Sequence, residues 1–367
     1  MDEDCIYSIA LSLIPGIGPV SAKSLIESVG SACAVFERRE VLPVLFPGLF
    51  HRIIQLLDCP GALDMARKEY DFIVRNHISC LTLTDPDYPS RLRECVDAPP
   101  VLFYKGNAHL NATKIISIVG TRKVTEYGKS ACINFIRDIQ SYFPDVVIVS
   151  GLAYGVDVQA HRSSLDYGLS TVGVLAHGLD RIYPYTHRRI AADMINNGGL
   201  LTEFVSGTIP ERYNFISRNR IIAGLSDATL VIESAGKGGS LITADIAGSY
   251  NRECFAFPGR VTDTYSEGCN SLIALNKACL LRSAADFVEL MGWKHTKRAD
   301  RAVQKRLFDD LTDEQQLVVD LLSGGDMQIN QLGVKTNLPV QQIHTIMFEL
   351  EIKGLIRVLA GGMYQLL

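Results

Sequence analysis

The spacing of apolar and polar residues changes twice along the chain. From residue 1 to about 80, apolar positions recur at helical intervals, which predicts short helices at 6–13, 20–28 and 64–76. Residues 81–112 read as a connector rich in turns, with Asp85-Pro86, Tyr88-Pro89 and Pro99-Pro100. From Lys114 onward, short β-rich runs at 115–119, 146–149, 171–175, 199–204, 229–232, 254–257 and 279–281 alternate with amphipathic stretches such as 128–140 and 155–167. Several runs are apolar almost throughout, the mark of strands covered on both faces. The pattern predicts an α/β domain with an extended, Rossmann-like, doubly wound and mostly parallel sheet.

After Trp293 the texture becomes charged and unpatterned, and 293–311 reads as a linker. Beyond it Thr312 and Gln315 have the spacing of a capping box, helical patterns recur at 329–336 and 340–353, and 356–359 with 364–367 read as a hairpin. Helices followed by a hairpin predict a winged-helix-like module. The predicted order is a helical module over 1–80, a Rossmann-like domain over 81–292, the linker, and the module over 312–367.

Composition is that of an ordinary globular protein, with 47% hydrophobic and 21% charged residues. The formal net charge of −4 gives no support to a polyanion partner, so any such partner needs a local basic patch. The nine cysteines include no C-x-x-C pair. They read as reduced thiols of a cytoplasmic protein, with Cys132 and Cys254 inside apolar runs. No ligand-spaced cluster predicts a metal site. The acidic start, MDEDCIYSIA, is not a signal peptide, and no apolar run is long enough for a membrane helix.

The informative residues follow the strands. Gly120-Thr121-Arg122 follows the first, Gly151 to Asp157 the second, Gly178 to Pro184 with Arg181 the third, Arg218-Asn219-Arg220 comes shortly after the fourth, Lys237-Gly238-Gly239-Ser240 follows the fifth and Gly259-Arg260 the sixth. In an open α/β sheet these positions share one edge, where ligands bind. Glycines admit a ligand to the backbone, helix starts offer free N–H groups, and Arg and Lys supply counter-charge. Together they predict a site for several phosphates in a row. From Lys114 to Arg260 there are 15 Lys and Arg against 13 Asp and Glu, so clustering matters more than the sum. No Walker A loop is present, because Val231 stands where its first glycine belongs, and no G-x-G-x-x-G follows the first strand. His161 and His177 are isolated and read as core or capping residues.

Four segments carry a resemblance. Ser150-Gly151-Leu152-Ala153-Tyr154-Gly155-Val156-Asp157, Arg218 to Ser226 (RNRIIAGLS), Gly239-Ser240-Leu241-Ile242-Thr243-Ala244 and Phe257-Pro258-Gly259 resemble, in order, signatures of the DprA/Smf family. The resemblance spans about 80–292 and implies a dimeric single-stranded-DNA-binding protein that loads the RecA recombinase during natural transformation, with no catalytic activity and no cofactor. It implies phosphate contacts from Arg122 and Arg181, with Asn219, Lys237, Gly239 and Ser240 completing the groove. Gly120, Thr121, Gly151 and Arg220 belong to the same expected site. The alternative is a LOG-type nucleoside-monophosphate phosphoribohydrolase on a related fold, but its glutamate is missing from the loop 236–243, where Asp245 is the nearest acid.

At the ends, 13–23 resembles a helix-hairpin-helix turn in a SAM-like helical module. Gly16 and Gly18 either present amides to DNA phosphate or serve only to pack two helices; Lys23 is the one nearby cation. In the C-terminal module Lys335, Lys353 and Arg357 face six acids, and 340–351 has no Lys or Arg. A major-groove reader needs such residues, so a protein-contact or regulatory role is expected there.

Overall fold

A computed structural model describes residues 3–40, 42, 55–293, 311–323, 327–336, 338–353, 355–359 and 363–366. The chain divides into two compact units, 1–295 and 296–367. Most of the predicted linker lies outside the described residues.

The first unit is organised by a nine-stranded sheet. Seven strands form its parallel part: β3 (Ile115–Val119), β4 (Val147–Ser150), β5 (Thr171–Val174), β6 (Gly198–Thr202), β7 (Ala228–Val231), β8 (Glu253–Ala256) and β9 (Cys279–Leu280). They run in the order β6-β5-β4-β3-β7-β8-β9, so the winding reverses between β3 and β7. Alternate residues of β3 serve opposite cores: Ile115 and Val119 pack with Val147, Val172 and Leu201, whereas Ile116 and Ile118 pack with Phe135, Ile148, Leu230 and Phe255. That two-sided burial is why these strands read as unbroken apolar runs.

The expected turn-rich connector is corrected by the structure. β1 (Ser79–Thr82) and β2 (Val101–Gly106) are strands, and β2 extends the sheet antiparallel to β6 with Phe103 opposite Thr202. Pro99 and Pro100 stand just before β2 and interrupt no ladder bond, as strand prolines must. They lead directly into the strand.

The N-terminal helices α1 (Glu3–Leu13), α2 (Pro19–Val29), α3 (Ala32–Glu37) and α4 (Pro60–Arg75) pack within the same unit and share its core through Ile9, Leu25 and Ala66. Lys23, the cation of the hairpin turn, is buried and donates to the carbonyls of Arg93 (2.6 Å) and Cys95 (2.8 Å). It ties α2 to the chain after the short helix α5 (Ser90–Arg93), so its charge is committed within the fold rather than offered to a phosphate. Cys132 and Cys254 are buried free thiols, but Cys5 and Cys80 form a disulfide joining α1 to β1, a pairing across 75 residues that local spacing does not reveal.

Further helices of this unit are α6 (Glu126–Tyr142), α7 (Val156–Asp166), α8 (Arg188–Asn196), α9 (Arg212–Leu225), α10 (Gly239–Ser249), α11 (Glu267–Ala274) and α12 (Ala284–Leu290). The second unit holds α13 (Asp313–Leu322), α14 (Ile329–Thr336) and α15 (Val340–Ile352) with β10 (Met327–Gln328), β11 (Ile356–Leu359) and β12 (Met363–Leu366) in a three-stranded sheet. Its first helix carries the expected capping box between Thr312 and Gln315. Among the described residues no helix is long and apolar enough to cross a membrane.

Candidate nucleic-acid interface

The reversal between β3 and β7 opens a crevice at the carboxyl ends of the parallel strands, the usual ligand position in this architecture. A cleft of about 510 Å³ occupies it. Three segments build the cleft, each placed by local chemistry.

Gly120, Thr121 and Arg122 line one side. The Thr121 N–H donates to the Glu233 carbonyl at 2.7 Å, tying the loop after β3 to the end of β7. From the other side α7 closes in, with the Val156 N–H donating to the Thr121 carbonyl at 3.1 Å. The approach depends on Gly155. Its φ is +81°, and a Cβ there would stand 2.1 Å from the Thr121 oxygen. Arg122 is thereby fixed at its base and exposed at its tip, its guanidinium 5.1 Å from the centre of the Phe215 ring, within cation–π range.

The second wall is α9. Arg212, Phe215, Ile216, Asn219 and Ile222 recur at i, i+3, i+4, i+7 and i+10, a single helical face, and all line the cleft. The third is the loop 235–238 and the start of α10. Lys237, Gly238 and Gly239 line the cleft, and α10 begins with no side-chain cap, so its first amides are left for a ligand or water. Asn219 Nδ2 bridges these two walls, donating to the Gly239 carbonyl at 3.5 Å. Ser240 also lines the cleft, but it is buried and its hydroxyl donates to Ser234 at 2.9 Å.

Asp157 and Arg218, both buried, complete the lining. A Cβ on Gly151 would lie 2.3 Å from the Asp157 carboxylate and 2.5 Å from the Arg218 guanidinium, so only glycine leaves room for both over the end of β4. Burial raises the Asp157 carboxyl, with Arg218 opposing, and lowers Arg218 to about 10, with Asp157 opposing. Arg218 donates to the Val174 carbonyl, while its Nε has no acceptor. The cleft lining thus holds four cations, Arg122, Arg212, Arg218 and Lys237, against one acid, Asp157. This is the local basic patch that the net charge hides.

Of the ten expected site residues, seven meet in the cleft: Gly120, Thr121, Arg122, Asn219, Lys237, Gly239 and Ser240. Three do not line it. Arg220 is on the other side of α9 and buried, donating to the Glu203 carboxylate and the Asp97 carbonyl; it braces the helix against the sheet. Arg181 is exposed and bound at 2.8 Å to its neighbour Asp180, which offsets its charge. Gly151 is buried and makes room for the Asp157 and Arg218 side chains rather than for a ligand. Phe215 and Arg212 are not among the expected residues; the helical repeat counted back from Asn219 finds both. His161 is buried, its Nδ1 2.7 Å from the Thr171 hydroxyl and its Nε2 against the Gly151 carbonyl, and burial pulls it down to about 4. It is a core residue, as expected.

Residues 79–292 match the family described as DNA recombination-mediator protein A, and 304–362 match the DprA winged helix domain. Protein Smf of Synechocystis sp. is 36% identical over 274 residues, 73% of this chain and 68% of that one. DNA processing protein DprA of Streptococcus pneumoniae is 38% identical over 192 residues, 52% of this chain and 67% of its own. The crystal structure of the pneumococcal protein superposes with a TM-score of 0.62 at 30% identity, covering 79% of this chain and 98% of that one. DNA processing protein A of Helicobacter pylori, a structure described for its single-stranded DNA binding mode, gives 0.53 at 28% identity over 58% of this chain and 95% of its own. With the family match covering more than half of its residues, the chain belongs to the DprA/Smf family.

Proposed function

We propose that this chain binds single-stranded DNA through its phosphates in the cleft, without catalysing a reaction, and hands the strand to a RecA-type recombinase during DNA uptake. It acts in the cytoplasm as a homodimer, as the family resemblance implies. The observation that carries the reading is the convergence of Arg122, Arg212, Arg218 and Lys237 with the uncapped start of α10 on one open cleft. Cations and free amides at a helix start are what a polyanionic backbone requires. The relative from Helicobacter pylori, described by its single-stranded DNA binding, supports the choice of strand. A non-enzymatic role is favoured by the lining's having a single acid, Asp157, which is buried near Arg218.

A gel shift with oligothymidine and with duplex at several salt concentrations tests the binding. Affinity for oligothymidine is expected to fall with salt, with a log–log slope of about −0.7 per phosphate contacted. An affinity indifferent to salt sinks the phosphate reading. The transfer step is checked by the rate at which RecA assembles on a strand already covered by single-strand-binding protein, with and without this chain; no acceleration removes the recombinase from the proposal. Release of base from AMP would instead bring back the phosphoribohydrolase.

A further inference from the structure

Phosphates are common to single and double strands, so the cationic cleft does not by itself explain a preference for one. What only a single strand offers is the open faces of its bases, and aromatic rings are the usual platform for them. Next to the cleft the structure holds such rings. Tyr154, Tyr183 and Tyr185 are exposed by 48%, 46% and 73%. They sit in the loops after β4 and β5, at the same sheet edge as the phosphate-facing residues.

Tyr183 and Tyr154 are positioned from below by buried histidines. His177 donates from Nδ1 to the Gly178 carbonyl at 2.9 Å, which leaves Nε2 to accept the Tyr183 N–H at 3.2 Å. His187 donates from Nδ1 to the Leu152 carbonyl at 2.9 Å and packs its ring edge-on against Tyr154, centroids 5.0 Å apart. The Tyr154 hydroxyl meets that of Thr186 at 3.3 Å. The row is continuous with the cleft, because the Tyr183 ring is 5.9 Å from Phe215, the ring under Arg122. At its far end the Arg188 guanidinium lies 6.0 Å from the Tyr185 ring, so a cation accompanies the aromatics along the path. Rings held in place lose little freedom on binding, and a flanking cation suits a strand carrying one charge per nucleotide.

We propose that Tyr183 and Tyr185, with Tyr154 beside them, form a stacking ledge that takes the bases of the strand whose phosphates enter the cleft, and that this ledge gives the protein its choice of single over double strand. The inference rests on the single-strand reading of the cleft. Stacking uses only the π-face that every base has, so the ledge tolerates any sequence.

The test compares oligothymidine with an abasic phosphodiester of the same length at near-physiological salt, using the full chain and fluorescence anisotropy. The intact protein should bind oligothymidine at least about tenfold more tightly than the abasic strand. The pair Tyr183→Ala and Tyr185→Ala should lose about tenfold or more on oligothymidine and nothing on the abasic strand. Tyr183→Phe with Tyr185→Phe should keep the preference, which separates ring stacking from a folding defect or a lost hydroxyl. Equal affinity of the intact protein for both strands, or equal losses on both in the alanine variant, overturns the ledge while leaving the phosphate cleft standing. Failure of the intact protein to retain either strand overturns the cleft reading together with the ledge.

Discussion

The chain has two places where its folds would conventionally meet DNA: the switch-point cleft of the first unit and the α15 face of the second. Their chemistry differs sharply. The cleft gathers four cations and a helix start around one buried acid. α15 has no Lys or Arg at all, and of its two glutamines Gln342 is already bound to Glu314 through 2.7 Å contacts. What α15 exposes instead is apolar Phe348 at 64% and Ile352 at 70%, beside the acids Glu349 and Glu351. A fold that places a helix for groove reading is therefore not enough; affinity for a polyanion follows where the cations lie. The family match assigns a winged helix to the second unit, and its charge argues for contact with protein rather than DNA.

The largest effect that tests this contrast is on stability, because the cleft is built on buried charge. Asp157→Ala leaves the buried Arg218 guanidinium without the nearby carboxylate that offsets its desolvation, and an uncompensated buried charge costs up to about 3–5 kcal/mol. Urea unfolding should show that loss in the first unit; a loss under about 1 kcal/mol means Arg218 is not held by Asp157. Next comes acid. His161 stays neutral in the fold down to about 4, whereas unfolded it takes a proton near 6.5. Between those values the unfolded chain binds more protons, so stability falls as pH falls, by about 3 kcal/mol across the window. His161→Asn should flatten that decline relative to the parent; parallel pH curves for the two proteins would refute it. For binding, Arg122→Ala should weaken oligothymidine about tenfold for every sequence alike and make the salt slope shallower by about 0.7. Lys335→Ala in the second unit should change neither quantity.

How much of this was legible beforehand follows from the range of each interaction. The parallel strands and the glycine-rich ends were readable because two-sided burial and tight βα turns write themselves into a few adjacent residues; β3 was placed at its observed bounds. The antiparallel strands β1 and β2 are not, because Pro99-Pro100 reads as a turn until the partner β6 is known. Among site residues, Arg122 and Lys237 were found because they adjoin strand ends. Arg220 was misplaced because the motif says that a cation is present but not which way it points; its partners Glu203 and Asp97 are far away in sequence. Phe215 carries no charge and adjoins no strand end, so only its place on the helical face of Asn219 marks it. The Cys5–Cys80 pairing needed the packing of α1 on β1, which no spacing rule supplies.

The smallest expected effect isolates the second unit. The Thr312 hydroxyl accepts the Gln315 N–H at 3.3 Å, and the Gln315 side chain accepts the Thr312 N–H at the same distance, closing the first turn of α13. The glutamine also donates to Glu349 of α15 at 2.6 Å, so the cap joins the helix start to the face that a winged helix would turn toward DNA. Thr312→Ala removes an N-terminal cap and should cost about 1 kcal/mol in the unfolding of that unit. Loosening α13 should also loosen α15 through Gln315 and Glu349. If α15 contributed to DNA affinity, the full chain carrying Thr312→Ala would bind oligothymidine more weakly in proportion. The acidic balance of the unit predicts unchanged affinity alongside the lower melting transition, and a matching loss in both would move DNA contact from the cleft alone to the cleft and the winged helix together.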